Sequence, residues 1–170
     1  NQTATYTKFN KIEKLSQGSK EATFTYGVDQ QRRKMLIKDG GIESRRRYYI
    51  GAFEKELAGG HTYEVNYNGA GDGLVAVHVT DVGNNTGQLY YVHKDYLGSA
   101  VLLTQANGTP VAEQRFGAWG QYKNPTTWAS QTTSAMPTWF NRGYTGHEHL
   151  PDFGLINMNG RAYDPIVGRM

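Results

Sequence analysis

Short stretches of alternating apolar and polar residues, broken by glycine, asparagine or proline, recur along the chain. Residues 22–28 (Ala-Thr-Phe-Thr-Tyr-Gly-Val) alternate as a half-buried strand does, and residues 33–38 resume after the polar Asp29-Gln30-Gln31 turn, which predicts a hairpin. Residues 48–56 read as a further strand, ended by Gly59-Gly60. Residues 63–67 alternate again before the glycine-rich loop 68–73, and residues 74–79 return. The spacing is that of serial antiparallel hairpins.

After a turn at 83–87, residues 88–94 form a strand with Leu89, Tyr91 and His93 on one side and Tyr90 and Val92 on the other. Residues 100–105 and 109–116 flank Asn107-Gly108, a pair that favours the type I′ hairpin turn. Residues 123–138 are crowded with Pro, Thr and Ser and read as an extended loop. No amphipathic helix of three turns is predicted, although 12–15 and 53–57 carry apolar spacing suited to single helical turns. The fold class expected from the residues is all-β with little helix.

Composition sharpens this picture. The 21 glycines and 12 tyrosines suit short strands and tight turns, because glycine supplies positive φ and tyrosine packs on half-buried sheet faces. A hydrophobic fraction of 38% and a mean hydropathy of -0.65 imply a thin or shared core. Net charge is only +3, and its visible basic cluster, Arg45-Arg46-Arg47, reads as a solvated strand end. A nucleic-acid footprint would need several such clusters with stacking aromatics, so no nucleic-acid partner is expected.

With no cysteine, disulfide and thiol chemistry are excluded. No stretch approaches the apolar length of a membrane span, so no membrane insertion is expected, and the polar start lacks the pattern of a signal peptide. The chain is therefore expected to be cytosolic or a piece of a larger polypeptide. Sequons at Asn1, Asn84 and Asn107 carry no weight in a sequence rich in Asn and Thr.

Two strings are sharper than the degenerate aromatic recurrences at 24–26, 47–49 and 115–120. The first is Tyr90-Tyr91-Val92-His93-Lys94-Asp95-Tyr96-Leu97-Gly98-Ser99. The second runs from Gly143-Tyr144-Thr145-Gly146-His147-Glu148 through Gly154-Leu155 to Gly160-Arg161-Ala162-Tyr163-Asp164-Pro165-Ile166-Val167-Gly168-Arg169. Together with the aromatic element around Trp119 they resemble the Rhs repeat-associated core domain over 88–170, and residues 1–87 resemble its degenerate YD-repeat hairpins.

The resemblance implies hairpins wound into a curved or spiralling open sheet, part of a β shell around a variable C-terminal cargo in a large secreted or cell-surface bacterial protein. Expected partners are the upstream repeats and the cargo of the same polypeptide, with self-association through open sheet edges. Some members of that family cut themselves with an aspartyl-protease-like pair. Asp164 matches the acid of the Tyr-Asp-Pro element residue for residue, whereas the earlier acid position falls on Pro151 with Asp152 one place later. In an extended strand that shift turns the side chain to the other face, which only irregular geometry corrects. Cleavage, on this reading, acts in cis on a bond beyond Met170. His93, Asp95, Gly98, Trp119, Gly154, Leu155, Arg161, Tyr163, Pro165, Gly168 and Arg169 are expected to be structural parts of the motifs, with Arg161, Asp164 and Gly168 anchoring an inward-turned terminal segment.

Other chemistries have only partial residue sets in this chain. His147-x-His149 with Asp152 outlines a zinc set but lacks a third ligand of suitable geometry, so turn or sheet-surface histidines are expected, with no metal and no cofactor. His93 and Asp95 have no nucleophile beside them and read as structural hydrogen-bonding groups. Trp119, Trp128 and Trp139 suit packing between hairpins, with a glycan platform as the alternative.

Overall fold

The structure is a computed structural model and describes residues 2–71 and 73–170; Asn1 with its sequon, and Asp72 of the glycine-rich loop, lie outside the described residues. Eleven strands follow one another in one open antiparallel sheet, each beside its neighbours in sequence. They are β1 (Gln2–Tyr6), β2 (Ile12–Gln17), β3 (Lys20–Tyr26), β4 (Arg32–Asp39), β5 (Ile42–Ile50), β6 (Phe53–Ala58), β7 (His61–Ala70), β8 (Gly73–Asp81), β9 (Thr86–Lys94), β10 (Ala100–Gln105) and β11 (Pro110–Glu113). Two small sheets follow, β12 (Arg115–Phe116) with β13 (Tyr122–Lys123), and β14 (Glu148–Leu150), β15 (Leu155–Asn157) and β16 (Ala162–Tyr163). Among the described residues the helical content is two 3-10 turns, Tyr144–Gly146 and Pro151–Phe153. The chain divides into two compact units, 1–67 with 78–88, and 68–77 with 89–170.

In the first unit the buried face is built by period-two alternation: Ala22 and Phe24 on β3, Met35 and Ile37 on β4, Arg47 and Tyr49 on β5, Glu54 and Glu56 on β6. The apolar spacing of Ile12 and Leu15 is not a helical turn. The β1–β2 register jumps between Thr5 and Tyr6, leaving Glu13 as an extra residue, and this bulge turns both apolar side chains to the buried side. Nor do residues 53–57 form a helical turn. They are strand β6 with an inverted pattern, in which Glu54 and Glu56 are buried while Phe53 and Leu57 are half-buried.

The stretch 48–56, expected as one strand, is two, reversed at Gly51-Ala52 so that Ile50 faces Phe53. The Arg triplet is not a solvated strand end either: Arg47 is fully buried in mid-strand, paired with Glu56 and lying 3.3 Å from Glu54. Register places Arg47 between Met35 and Glu56, and Glu54 between Tyr49 and Val65. Arg45 Nε lies 3.4 Å from Glu56, and the Tyr67 hydroxyl donates to Glu54.

One turn recurs six times among the described residues, at 7–11, 27–31, 95–99, 105–109, 117–121 and 143–147. In each, the first residue's N–H donates to the fifth residue's carbonyl, and the fourth residue's N–H donates to the first's carbonyl. The fourth residue is left-handed: Asn10, Gln30, Gly98, Gly108, Gly120 or Gly146. At 143–147 the third residue, Thr145, is itself left-handed at φ 49, whereas in the first five the two residues before the fourth have negative φ, as in a three-residue loop in which a type I turn precedes an αL residue. It is also the turn at Asn107-Gly108, where the type I′ form was expected. Only Gly108, at φ 85, is left-handed there, and the strands absorb the extra residue as a register shift beyond Leu103.

The second expected strand of that hairpin, 109–116, is interrupted. Gln114 is buried between β11 and β12, and its amide donates to the carbonyls of Ala100 and Arg142 while its oxygen accepts from Ser134. In the glycine-rich stretch, Asn68, Gly69 and Ala70 end β7 and Gly73 opens β8. The stretch 123–138, apart from Lys123 in β13, holds no strand or helix. Asn124 organises it by accepting from the N–H groups of Thr126 and Thr127, and Met136 and Trp139 drop into the core of the second unit.

Candidate functional site

The first motif string folds as the β9–β10 turn. The Asp95 carboxylate accepts from the N–H groups of Leu97 (2.9 Å) and Ser99 (2.8 Å), and Gly98 takes the left-handed position at φ 82. Buried Ser99 then accepts at Oγ from the N–H of Thr145. His93 pairs instead with Thr104 across the strands, at 3.0 Å. The two residues are engaged separately, and the chemistry they perform here is turn closure and cross-strand bonding.

The second string builds the β14–β15–β16 sheet. Its register sets His149 against Ile156 and Ile156 against Tyr163, with Leu150 against Leu155. Asp152 lies in the first turn of the Pro151–Phe153 segment that joins β14 to β15, and Gly154 closes that segment in the left-handed region at φ 64. Asp164 follows β16. Because β14 and β16 run the same way with β15 between them, the Asp152 turn and Asp164 stand at the same end of the sheet. Residue 152 is in a 3-10 turn and not an extended strand, so the face-flipping objection raised by the Pro151 departure does not apply.

Asp164 also caps its own turn, accepting at Oδ1 from Ile166 (2.7 Å) and Val167 (3.3 Å), while its backbone bridges Arg169. Pro165 and Tyr163 are shielded; Gly168 takes the left-handed region at φ 67, and a Cβ there would reach ordinary contact with the Trp119 indole. The carbonyl of Arg161 accepts from the N–H of Met158, closing the β15–β16 turn.

His149, expected at a turn or sheet surface, is instead buried within this unit. Its ring packs at a tilt against Tyr122 and Phe116 with centroids 4.9 and 5.3 Å away, and its Nε2 accepts from the N–H of Tyr144 at 2.9 Å. Burial, with a smaller contribution from His147, lowers its pKa to about 3, so the ring is neutral with its proton on Nδ1. His147 lies ahead of β14 and is bonded to Thr145. The two imidazoles thus have separate engagements, and no group of three His, Asp or Glu is placed to hold a metal ion among the described residues. Burial likewise pushes the Tyr122 phenol up. A signal for the packing around His149 does exist in the sequence: Gly143 stands where a Cβ would come within 2.5 Å of the imidazole.

Trp139 is buried against Tyr90 and Phe140, in the packing role expected of it, whereas Trp119 and Trp128 are exposed.

An unbroken meander of hairpins followed by small terminal sheets defines an open-sheet, hairpin-repeat β protein. No protein-family model matches the chain, and no curated protein sequence matches it. Among solved structures, the TcdB2-TccC3 complex without its hypervariable C-terminal region is similar over 98% of this chain, with a TM-score of 0.77 and 18% identity. The TcdB2-TccC3-TEV crystal structure gives 0.76 and 17% over the same share, and a Photorhabdus luminescens Tc holotoxin pore gives 0.74 and 16% over 96%. The chain spans 8% of the length of each of those chains. What is shared at such identities is the fold.

Proposed function

We propose that this chain is a wall segment of a β shell, in which 1–87 continues the pairing of upstream repeats and 88–170 adjoins a C-terminal cargo of the same secreted or surface-delivered polypeptide. The observation that carries this reading is the likeness in fold to the Tc toxin complexes along nearly the whole meander, with the Rhs-like motif strings falling on its turns. Edge chemistry supports it. All five residues of β1 are exposed, and none is charged or proline, so neither of these two blocks stands against pairing with a further strand.

The chain alone should associate in a concentration-dependent way in sedimentation velocity, and Thr3→Lys with Thr5→Lys should return it to monomer. A polypeptide extended by the upstream and downstream natural sequence should shield its cargo from added protease. A chain that stays monomeric at every concentration, with a cargo digested as fast as the free cargo, would refute the shell reading.

A second reading is favoured by the placement of the Asp152 turn and Asp164 at one end of the β14–β15–β16 sheet. Two carboxylates sharing a proton there would cut a downstream bond once, in cis. Intact mass of the extended polypeptide tests it: one cut, abolished by Asp152→Asn and by Asp164→Asn.

A further inference from the structure

Within the second unit the two motif strings meet turn against turn. The Ala100 N–H donates to the Gly143 carbonyl (3.1 Å), and the Thr145 N–H donates to Ser99 Oγ (3.0 Å). Gly146, left-handed at φ 73, comes so near the 95–99 turn that a Cβ on it would lie 3.6 Å from the Gly98 carbonyl oxygen. With the first residues of β8, these turns frame a cavity of about 400 Å3. That size falls inside the roughly 300–1,000 Å3 range of small-molecule sites.

The lining has two characters. Leu74, Val92, Leu97 and Ala100 supply apolar surface, and the charged residues, Lys94 and Arg142, are both cationic; among the described residues no carboxylate lines the cavity. Lys94 Nζ stands on the β8 side, 3.7 Å from where a Cβ on Gly73 would lie. Both cations are also engaged within the chain, which fixes where their charge stands. Charge of one sign against low-dielectric walls focuses its field into a cleft and draws an anion there. Hydrogen-bonding capacity narrows the class of anion. A phosphate cradle needs several backbone N–H groups turned toward the ligand. Here the N–H groups of Gly98 and Gly146 donate to the carbonyls of Asp95 and Gly143 within their own turns, and those of Ala100 and Thr145 join the two turns. The turns therefore offer no such cradle, and what the cavity presents is two cations above apolar surface.

We infer that this cavity binds a small amphipathic carboxylate, its single anionic head held by Lys94 and Arg142 and its hydrocarbon body laid on Leu74, Val92, Leu97 and Ala100. A cavity of about 150 Å3 admits benzene, so this one takes a body larger than one ring, such as a medium-length alkyl chain. The site depends on neither the shell reading nor the aspartate pair.

The test is calorimetric titration of the chain with octanoate, beside 1-octanol and octylamine as its neutral and cationic counterparts. Octanoate should bind saturably at one site per chain, with 1-octanol at least tenfold weaker and octylamine weaker still. Added salt should weaken octanoate and not 1-octanol. Lys94→Met should bring octanoate down to the level of the alcohol while leaving the alcohol within about twofold. Leu97→Asp, at an exposed turn position and with an unchanged circular dichroism spectrum, should abolish binding of both. No saturable binding of octanoate, equal binding of 1-octanol or octylamine, or octanoate binding that Lys94→Met and Leu97→Asp both leave within twofold overturns the inference.

Discussion

Replacing Arg47 by methionine should be the most damaging single change in the first unit. Arg47 is fully buried, and the side chains that neutralise it, Glu54 and Glu56, are 2% and 0% exposed. Methionine fills the space but leaves two carboxylates out of water without the guanidinium between them. Breaking a buried pair from one side costs about 3–5 kcal/mol. Arg45, 3.4 Å from Glu56, holds the loss toward the lower end of that range. The converse change is more informative. In Arg47→Met with Glu54→Gln and Glu56→Leu the fully buried charges are gone, Arg45, 15% exposed, loses its Glu56 contact, and the glutamine introduced on β6 keeps an acceptor for the Tyr67 hydroxyl. Stability should then return to within about 2 kcal/mol of the parent, or exceed it, because well-packed apolar replacements of buried ion networks are often neutral or stabilising. Urea unfolding followed by circular dichroism at fixed pH and salt measures both. A single variant that costs under about 1 kcal/mol, or a triple variant as unstable as the single one, would refute the reasoning.

Three further outcomes follow from the second unit. Because the folded-state pKa of His149 is depressed to about 3, the unfolded chain binds its proton first as pH falls; the stabilisation is whole above about pH 6.5 and declines toward pH 3. Between pH 7 and pH 5 this amounts to about 2 kcal/mol, absent in His149→Met, and the imidazole resonances should not titrate above about pH 4. Asp95→Ala removes the acceptor for two turn N–H groups and should cost about 1–2 kcal/mol in a denaturant melt, most of it recovered by Asp95→Asn. Gly143→Ala forces a methyl to within 2.5 Å of the His149 ring and should cost about 1–3 kcal/mol, read as lost amide protection in β14 and β15.

The all-β hairpin order was legible because alternation and glycine turns carry it, and the places where the reading failed share one cause: the local pattern was obeying a partner strand. Ile12 and Leu15 sit three apart because Glu13 bulges against β1, a fact visible only in the register between Thr5 and Tyr6. In β6 the alternation was present but its polarity was inverted, because Arg47 on the neighbouring strand makes the buried row ionic. The repeat was hidden for a related reason. Its constant feature is a left-handed fourth residue, which glycine fills four times, but Asn10 and Gln30 fill the same position in the first unit, where no string search for glycine finds them. At the candidate site the motif strings fall on turns. They could not show that the Pro151 departure falls in a 3-10 turn, where a one-residue offset rotates a side chain and does not reverse it, nor that His149 is walled in by Phe116 and Tyr122 from a distant hairpin. Sequence spacing therefore predicts which residues make turns, while the tertiary register decides which of those turns come to lie side by side. The cis-cleavage reading depends on that second step, which is why it is tested by variants at Asp152 and Asp164 and not by motif matching.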